Sequence, residues 1–253
     1  MVDTRSRPRA PGRKGVSAVS VAITDSAGWT AGRLATMGLI GPVVAGTLVG
    51  ALHVLPETAG ISPVSRTISE YGLTDVAWAF NAGVIALALG SLAILVAAAV
   101  AGLARPSSVG FALGLAWVAA LLVVVVFPKH NWAVGPSTNG QIHRVASLVA
   151  FVCLPLAVLL LTRRRAAGPG SAPRWAFWLS VVSLAWFGTL IGAWVISPIT
   201  GVPWYRALPI GLVERGLVLS EVAAVVALGL WVVIATRRTR VPSASRAQTA
   251  PAA

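Results

Sequence analysis

Six stretches of this chain are each long and apolar enough to cross a lipid bilayer, at about residues 34–55, 76–104, 108–127, 141–162, 174–197 and 211–236. A spanning helix needs ~20 predominantly apolar residues, because the hydrocarbon layer is ~30 Å thick and a helix rises ~1.5 Å per residue. No water reaches the backbone at that depth, so each N–H and C=O must be satisfied within the helix. The expectation is an all-α fold, a six-helix transmembrane bundle. Composition agrees: 57% of the 253 residues are hydrophobic and 11% are charged, with a mean hydropathy of +0.82. A soluble domain carries roughly 25% charged residues, and a soluble core of this size could not hide so much apolar surface.

The flanks are different. Residues 1–33 are basic and polar, with Pro8 and Pro11, and read as a disordered tail. Within them, residues 16–23 are mildly apolar but short and followed by Asp25, a poor signal-peptide core. A short interfacial helix is the alternative there. Residues 34–236 form the transmembrane domain, and 237–253 a second disordered tail.

Local signals mark the helix ends. Asp75, Ser107, Asn139 and Ser171 are expected as N-caps of the second to fifth helices. Pro128 and Pro198 should close the third and fifth, and Pro209 should open the sixth. Pro42 and Pro155 fall inside helices and predict kinks. Trp78, Trp175, Trp178, Trp194 and Trp231 lie near helix ends, where an amphipathic ring suits the headgroup zone, whereas Trp117 and Trp186 are mid-helix and should pack between helices. Gly46-x-x-x-Gly50 and Gly110-x-x-x-Gly114 read as sites of close backbone approach within the bundle.

Charge sets the orientation. Of 20 Lys and Arg, 15 fall in the two tails, at Arg105 and in the 163–174 connection, whereas Arg66, Lys129, Arg144, Arg206 and Arg215 lie on the other side. The positive-inside rule then places both termini in the cytoplasm of a multi-pass cell-membrane protein. The net charge of +13 is thereby explained by topology, and a nucleic-acid partner is not expected. The triplet Arg163-Arg164-Arg165 is a topology determinant, with anionic lipid headgroups a secondary partner. One cysteine, Cys153, excludes an internal disulfide. Eighteen Arg against two Lys, with abundant Ala, Val and Gly, suggest a GC-rich bacterial source.

The opposite, outer side carries the chemistry: all three His and five of the seven carboxylates. Its longest connection, residues 56–75, holds Ser65-Arg66-Thr67-Ile68-Ser69-Glu70-Tyr71-Gly72. Connections of this length usually have structure or function. The second holds Lys129, His130 and Trp132 and leads into Gln141, His143 and Arg144; the third holds Trp204, Tyr205 and Arg206 and leads into Glu214 and Arg215. Glu221 lies seven residues beyond Glu214, on about the same helical face and roughly 15 Å inside the helix. A carboxylate at that depth costs at least ~2.5 kcal/mol unless paired, protonated or wet, so it should face the bundle interior. Its expected partners are Arg215, Arg144 or a His. The bland reading is a structural Glu; the functional one is an intramembrane site.

His143 has Ser147 one turn below it and is most simply a hydrogen-bonded cap residue. No two His stand at i, i+3 or i, i+4, and no H-E-x-x-H occurs, so neither a metal nor any other cofactor is expected. A nucleophile elbow, a P-loop and a dinucleotide fingerprint are absent from the sequence. Leu55-Pro56-Glu57-Thr58-Ala59 looks like a sortase signal but follows the first helix instead of preceding a C-terminal one, and is read as coincidence.

Ile68-Ser69-Glu70-Tyr71-Gly72, Phe127-Pro128, Ile142-His143 with Ala146 and Phe151, and Gly211-Leu212-Val213-Glu214-Arg215 with Trp231 resemble the domain-of-unknown-function 998 family of bacterial and archaeal multi-helix membrane proteins. The resemblance spans about 34–236 and implies fold and membrane placement, with Ser69, Glu70, His143, Glu214 and Arg215 as family-like positions. Where that pattern has an acidic residue after the Phe-Pro pair, this chain has Lys129-His130.

Two functions compete. The leading one is a non-catalytic membrane protein whose outward-facing polar pocket, drawn from Ser69, Glu70, Tyr71, His143, Arg144, Glu214, Arg215 and Glu221, binds a lipid headgroup, a small ligand or a partner subunit. The alternative is a membrane-embedded enzyme acting on lipid at the outer leaflet, with His143 as general base or metal ligand and Glu70 or Glu214 as acid/base, which requires those three groups to converge. Ion-coupled transport through Glu221 ranks last, since the inner halves carry little polarity beyond Ser91, Ser180 and Ser183.

Overall fold

A computed structural model describes residues 14–131, 133–166 and 170–238, with side chains described from Ser26 onward. The chain order is α1 (Lys14–Gly38), α2 (Ile40–Ala51), two short 3-10 helices (Pro56–Thr58 and Ile68–Leu73), α3 (Ala77–Val100), α4 (Val109–Val126), α5 (Thr138–Ala166), α6 (Ser171–Thr200), the single turn α7 (Trp204–Ala207) and α8 (Ile210–Arg238). No strand occurs among the described residues. Six spans are long and apolar enough to cross a membrane: Ser26–Ala51, made of α1 and α2 together, and then α3, α4, α5, α6 and α8.

The spans pack as a ring. The α1–α2 pair lies on α3, α3 on α4, α4 on α5, α5 on α6, α6 on α8, and α8 closes back onto α1. Trp117, Leu121, Leu154, Val158, Leu228 and Trp231 fill the middle. Connections between spans alternate between two ends, so residues 52–76, 127–137 and 201–209 form a cap at one end. The Arg-rich ends of α5 and α8 lie at the other.

Helix boundaries shift from the sequence reading for local reasons. The chain is already helical at Lys14, so the expected disordered tail does not extend to residue 33, and the first span starts earlier and stops at Ala51. Residues 1–13 and 239–253, which hold the rest of both tails, and Trp132 lie outside the described residues. The first helix breaks at Leu39. Pro42 cannot donate to the carbonyl of Gly38, four residues back, and its ring crowds that carbonyl. By contrast α5 runs continuously through Pro155, and α6 runs past Pro198 to Thr200, so Pro198 does not close it.

At each of the four expected caps a nearby residue takes the position instead. Ser108, not Ser107, accepts the Phe111 N–H, and Ser137, not Asn139, accepts the Gly140 N–H at 3.1 Å. Val76, not Asp75, occupies the α3 cap position without a side-chain bond. Ser171 is the first residue of α6, preceded by Gly170.

Small residues allow the tightest crossing. A Cβ at Gly41 would lie 2.3 Å from the Ala86 carbonyl, and Gly90 meets the Gly38 carbonyl at 2.5 Å. Gly110 and Gly114 face α5 and Leu95 closely, as the spacing implies. Gly46 and Gly50 are different: nothing lies within 4 Å of either, so their expected close approach is absent. Trp231 also departs from expectation, being 6% exposed in the core, whereas Trp78, Trp175, Trp178 and Trp194 are exposed. Trp186 lies against Gly216 on α8, where only a glycine leaves room for the ring.

Candidate functional site

The long first connection folds against the start of α8. The Gly211 N–H donates to the Val64 carbonyl at 2.9 Å, and a Cβ on Gly211 would collide with the Pro63 and Arg66 carbonyls at 2.5 Å. One turn on, Glu214 Oε2 accepts the Ile68 N–H at 2.7 Å. That N–H opens the Ile68–Leu73 helix, and the first N–H groups of any helix lack intrahelical partners.

Arg215 ties four groups together. Its Nε–H donates to His53 Nε2 at 2.8 Å, one terminal nitrogen donates to the Arg66 and Gly211 carbonyls at 2.8 and 3.0 Å, and the other to the Tyr71 hydroxyl at 3.3 Å. His53 Nδ1 meets the Val49 carbonyl at 2.7 Å. With Nε2 accepting from Arg215, the ring proton sits on Nδ1. The His53 and Tyr71 rings meet edge to face, with centroids 5.2 Å apart.

Beside this cluster Glu70 bridges two cations, Arg66 Nε and Lys129 Nζ, each at 3.0 Å. Lys129 also donates to Thr67, whose hydroxyl lies 3.2 Å from Ser69 Oγ. Lys129 stands where the family-like pattern has an acid, and the bridge to Glu70 gives it a place in the cap. Arg144 lies apart, exposed and bonded to Gln141 at 2.6 Å.

His143 is buried, 6% exposed, and is hydrogen-bonded at a helix end as its position suggested, but the end is that of α4. Its Nδ1–H points at the Val124 and Phe127 carbonyls, at 3.2 and 2.8 Å. The reason is written in the sequence: the carbonyl of Val124 would normally take the N–H four residues on, and that residue is Pro128, which has none. The imidazole supplies the donor that proline lacks. Nε2 is then an acceptor, and it has no hydrogen-bond partner among the described residues.

Below the cap the ring encloses a cavity of about 440 Å³, within the roughly 300–1,000 Å³ typical of small-molecule sites. Its walls are mostly apolar, including Val49, Phe80, Leu87, Leu121, Phe151 and Val222. The polar groups among the sequence candidates that reach it are Ser69, His143, Glu214, Arg215 and Glu221, joined by His53 and Ser147. Glu70, Tyr71 and Arg144 do not line it. Of the proposed catalytic trio, therefore, His143 and Glu214 share the cavity and Glu70 does not. Glu221, 2% exposed, lies against Ser183 of α6, with Oε1 3.4 Å from the hydroxyl, instead of against Arg215, Arg144 or a His. By helix rise it stands ~10 Å deeper than Glu214.

The cavity also has a side. Beyond the break at Leu39, α2 leans on α3 and barely touches α8, while α1 holds α8 closely at the other end. Gly46, Gly50 and Leu219 line the cavity and are themselves exposed. A Cβ added at either glycine would meet nothing within 4 Å, so this stretch of α2 is uncovered beside the cavity. Among the described residues, no group of three His, Cys, Asp or Glu could hold a metal ion.

Fold and site together define a helical, multi-pass membrane protein with an internal apolar cavity beneath a polar cap. Within that class the chain belongs to the family described as protein of unknown function DUF998, whose model matches residues 39–231. The match ends before the second tail and begins at the Leu39 break, so it covers the cap and all the cavity-lining residues. No curated protein and no solved structure gives a significant match.

Proposed function

We propose that this chain is a non-catalytic lipid-binding protein of the cell membrane, with the cap outside and both termini in the cytoplasm. A membrane lipid enters sideways between α2 and α8, lodges its chain in the cavity and leaves its polar end near Ser69, His53 and Arg215 beneath the cap. The observation that carries this reading is the apolar cavity bordered by exposed Gly46, Gly50 and Leu219, since the solvent at that depth is lipid. It moves the ligand's bulk from the polar cap, where the sequence suggested it, to the space beneath. The orientation rests on the Lys and Arg asymmetry.

The test is purification in mild detergent followed by mass spectrometry of bound lipid, beside a Gly46→Phe variant that closes the gap. Stoichiometric lipid on the native protein and its loss from the variant are expected. Lipid no more abundant than on an unrelated membrane protein of similar size overturns the proposal. A reporter active only outside the cytoplasm, fused to the C-terminus, should stay silent.

A second reading, an enzyme acting on lipid with His143 as base, draws support from the unpaired Nε2 in a cavity that also holds Glu214. Against it stands Glu70, whose carboxylate is engaged by Arg66 and Lys129 outside the cavity. Chemical change of the bound lipid by the native protein and not by His143→Ala would favour the enzyme.

A further inference from the structure

Three buried side-chain polar atoms among the described residues have no hydrogen-bond partner: Ser91 Oγ, Trp117 Nε1 and His143 Nε2. Native interiors leave few such atoms, and each asks for an explanation. Ser91 and Trp117 share one. Both line a separate void of about 20 Å³, large enough for a single water that would serve the hydroxyl and the indole N–H together. His143 does not line that void; it lines the large cavity, which Trp117 borders as well.

The imidazole is fixed from behind. Its Nδ1–H is committed to the Val124 and Phe127 carbonyls, so in the neutral ring Nε2 is an acceptor. Ser147, one turn on along the same helix, does not serve it: its hydroxyl donates to the His143 carbonyl at 2.9 Å. A buried acceptor with a lone pair and no donor is a specification for a ligand.

We infer that the cavity selects a lipid bearing a free, uncharged hydroxyl, whose O–H donates to His143 Nε2. This rests on the lipid-binding reading above and names the chemistry of the ligand. To the neutral ring, ionised carboxylates, phosphodiesters, esters and ketones offer no donor and would leave Nε2 orphaned. An ammonium offers one, but its full charge would have to leave water for mostly apolar walls, a far larger cost than burying a hydroxyl. A single-chain alcohol, or the glycerol hydroxyl of a diacylglycerol, meets both demands. The chain then occupies the space between Phe151 and Val222, towards the gap beside Gly46 and Gly50.

The experiment uses the full chain in lipid nanodiscs and two photoactivatable probes, hexadecanol and its methyl ether, each with the same diazirine at the chain end. The alcohol should label the native protein about five- to tenfold more efficiently than the ether, the scale of one buried hydrogen bond. Labelled peptides should come from α2 and α8, which border the gap that the chain end approaches. In His143→Phe the preference should vanish while labelling by both probes persists. Equal labelling of the native protein by the two probes overturns the hydroxyl assignment and leaves the lipid cavity standing. A preference kept by folded His143→Phe moves the donor's partner elsewhere and overturns it too. Stronger competition by hexadecylamine than by unlabelled hexadecanol overturns the choice of a neutral group. Absence of saturable labelling by either probe removes the lipid cavity itself. Should His143→Phe fail to fold, since Val124 would lose its donor, the native alcohol-to-ether ratio decides alone.

Discussion

The Nε–H of Arg215 donates to Nε2 of His53 at 2.8 Å, joining α8 to the segment just beyond α2. These two helices scarcely touch along their length at this end, so the bond straps the cap across the open side of the cavity. Three further acceptors, the Arg66 and Gly211 carbonyls and the Tyr71 hydroxyl, hold the same guanidinium in one plane. Arg215→Ala should therefore cost ~2–4 kcal/mol, His53→Phe ~1–2, and Tyr71→Phe less than ~1. Arg215→Lys should recover little, because an ammonium cannot reach several acceptors through a planar fork. Unfolding in mild detergent ranks the four variants; a lysine variant as stable as the native chain would contradict the strap.

Glu70 separates two ion pairs of equal length by their surroundings. Both partners lie 3.0 Å away, but the Arg66 side chain is 55% exposed and the Lys129 side chain 13%. Water and salt screen the first far more than the second. A double-mutant cycle between Glu70→Gln and Lys129→Met should give ~1–3 kcal/mol of coupling, and the cycle with Arg66→Met ~0–1. Raising salt should erode the Arg66 term and spare much of the Lys129 term. Equal couplings with equal salt dependence would show that burial does not distinguish them.

Much of this fold was legible because bilayer thickness fixes helix length. All six spans overlap the apolar runs, and the motifs around Glu70, His143 and Glu214 pointed to the family. What escaped was governed by neighbours that no local pattern encodes. Gly46 and Gly50 have the spacing of a helix contact, yet they stand uncovered beside the cavity, because α2 packs on α3 and hardly on α8. Lys129 looked like a departure from the pattern until Glu70 was found beside it. His143 reads as a hydrogen-bonded cap, but that the end it serves is that of α4 depends on the packing of two helices. A signal for that existed: Pro128 leaves the Val124 carbonyl without a donor, and a nearby side chain has to supply one. His53 could not have been chosen, since its role depends on Arg215, 162 residues away.

The glycines offer a direct test of the gap. Nothing lies within 4 Å of a Cβ at Gly46 or Gly50, and both sit in a helix, so Gly46→Ala should be neutral or stabilising by up to ~1 kcal/mol. Gly41→Ala and Gly90→Ala place a methyl 2.3 and 2.5 Å from backbone carbonyls and should destabilise by ~2 kcal/mol or more. Larger residues separate stability from binding: Gly46→Phe should fold and lose bound lipid. Thermal unfolding together with lipid quantification makes the comparison. A Gly46→Phe protein that keeps its full lipid complement would mean that entry runs elsewhere.

Glu221 is buried on the cavity wall, and among the described residues one weak hydrogen bond holds its carboxyl. Its Oε1 lies 3.4 Å from Ser183 Oγ, near the outer limit for a hydrogen bond. Removing that contact with Ser183→Ala should cost less than ~1 kcal/mol. Glu221→Gln preserves shape and one acceptor oxygen and should stay within ~1 kcal/mol of the native protein, because no cation among its expected partners is lost. Glu221→Lys puts an ammonium at the same depth, facing apolar walls, at a cost of ~2.5–3.5 kcal/mol or more, and should sharply reduce the folded yield. If the carboxyl serves the cavity and not the fold, the glutamine variant should be stable but altered in its bound-lipid profile. Measuring yield, unfolding and co-purifying lipid for these three variants separates the roles. A strongly destabilised Glu221→Gln would assign this residue to structure.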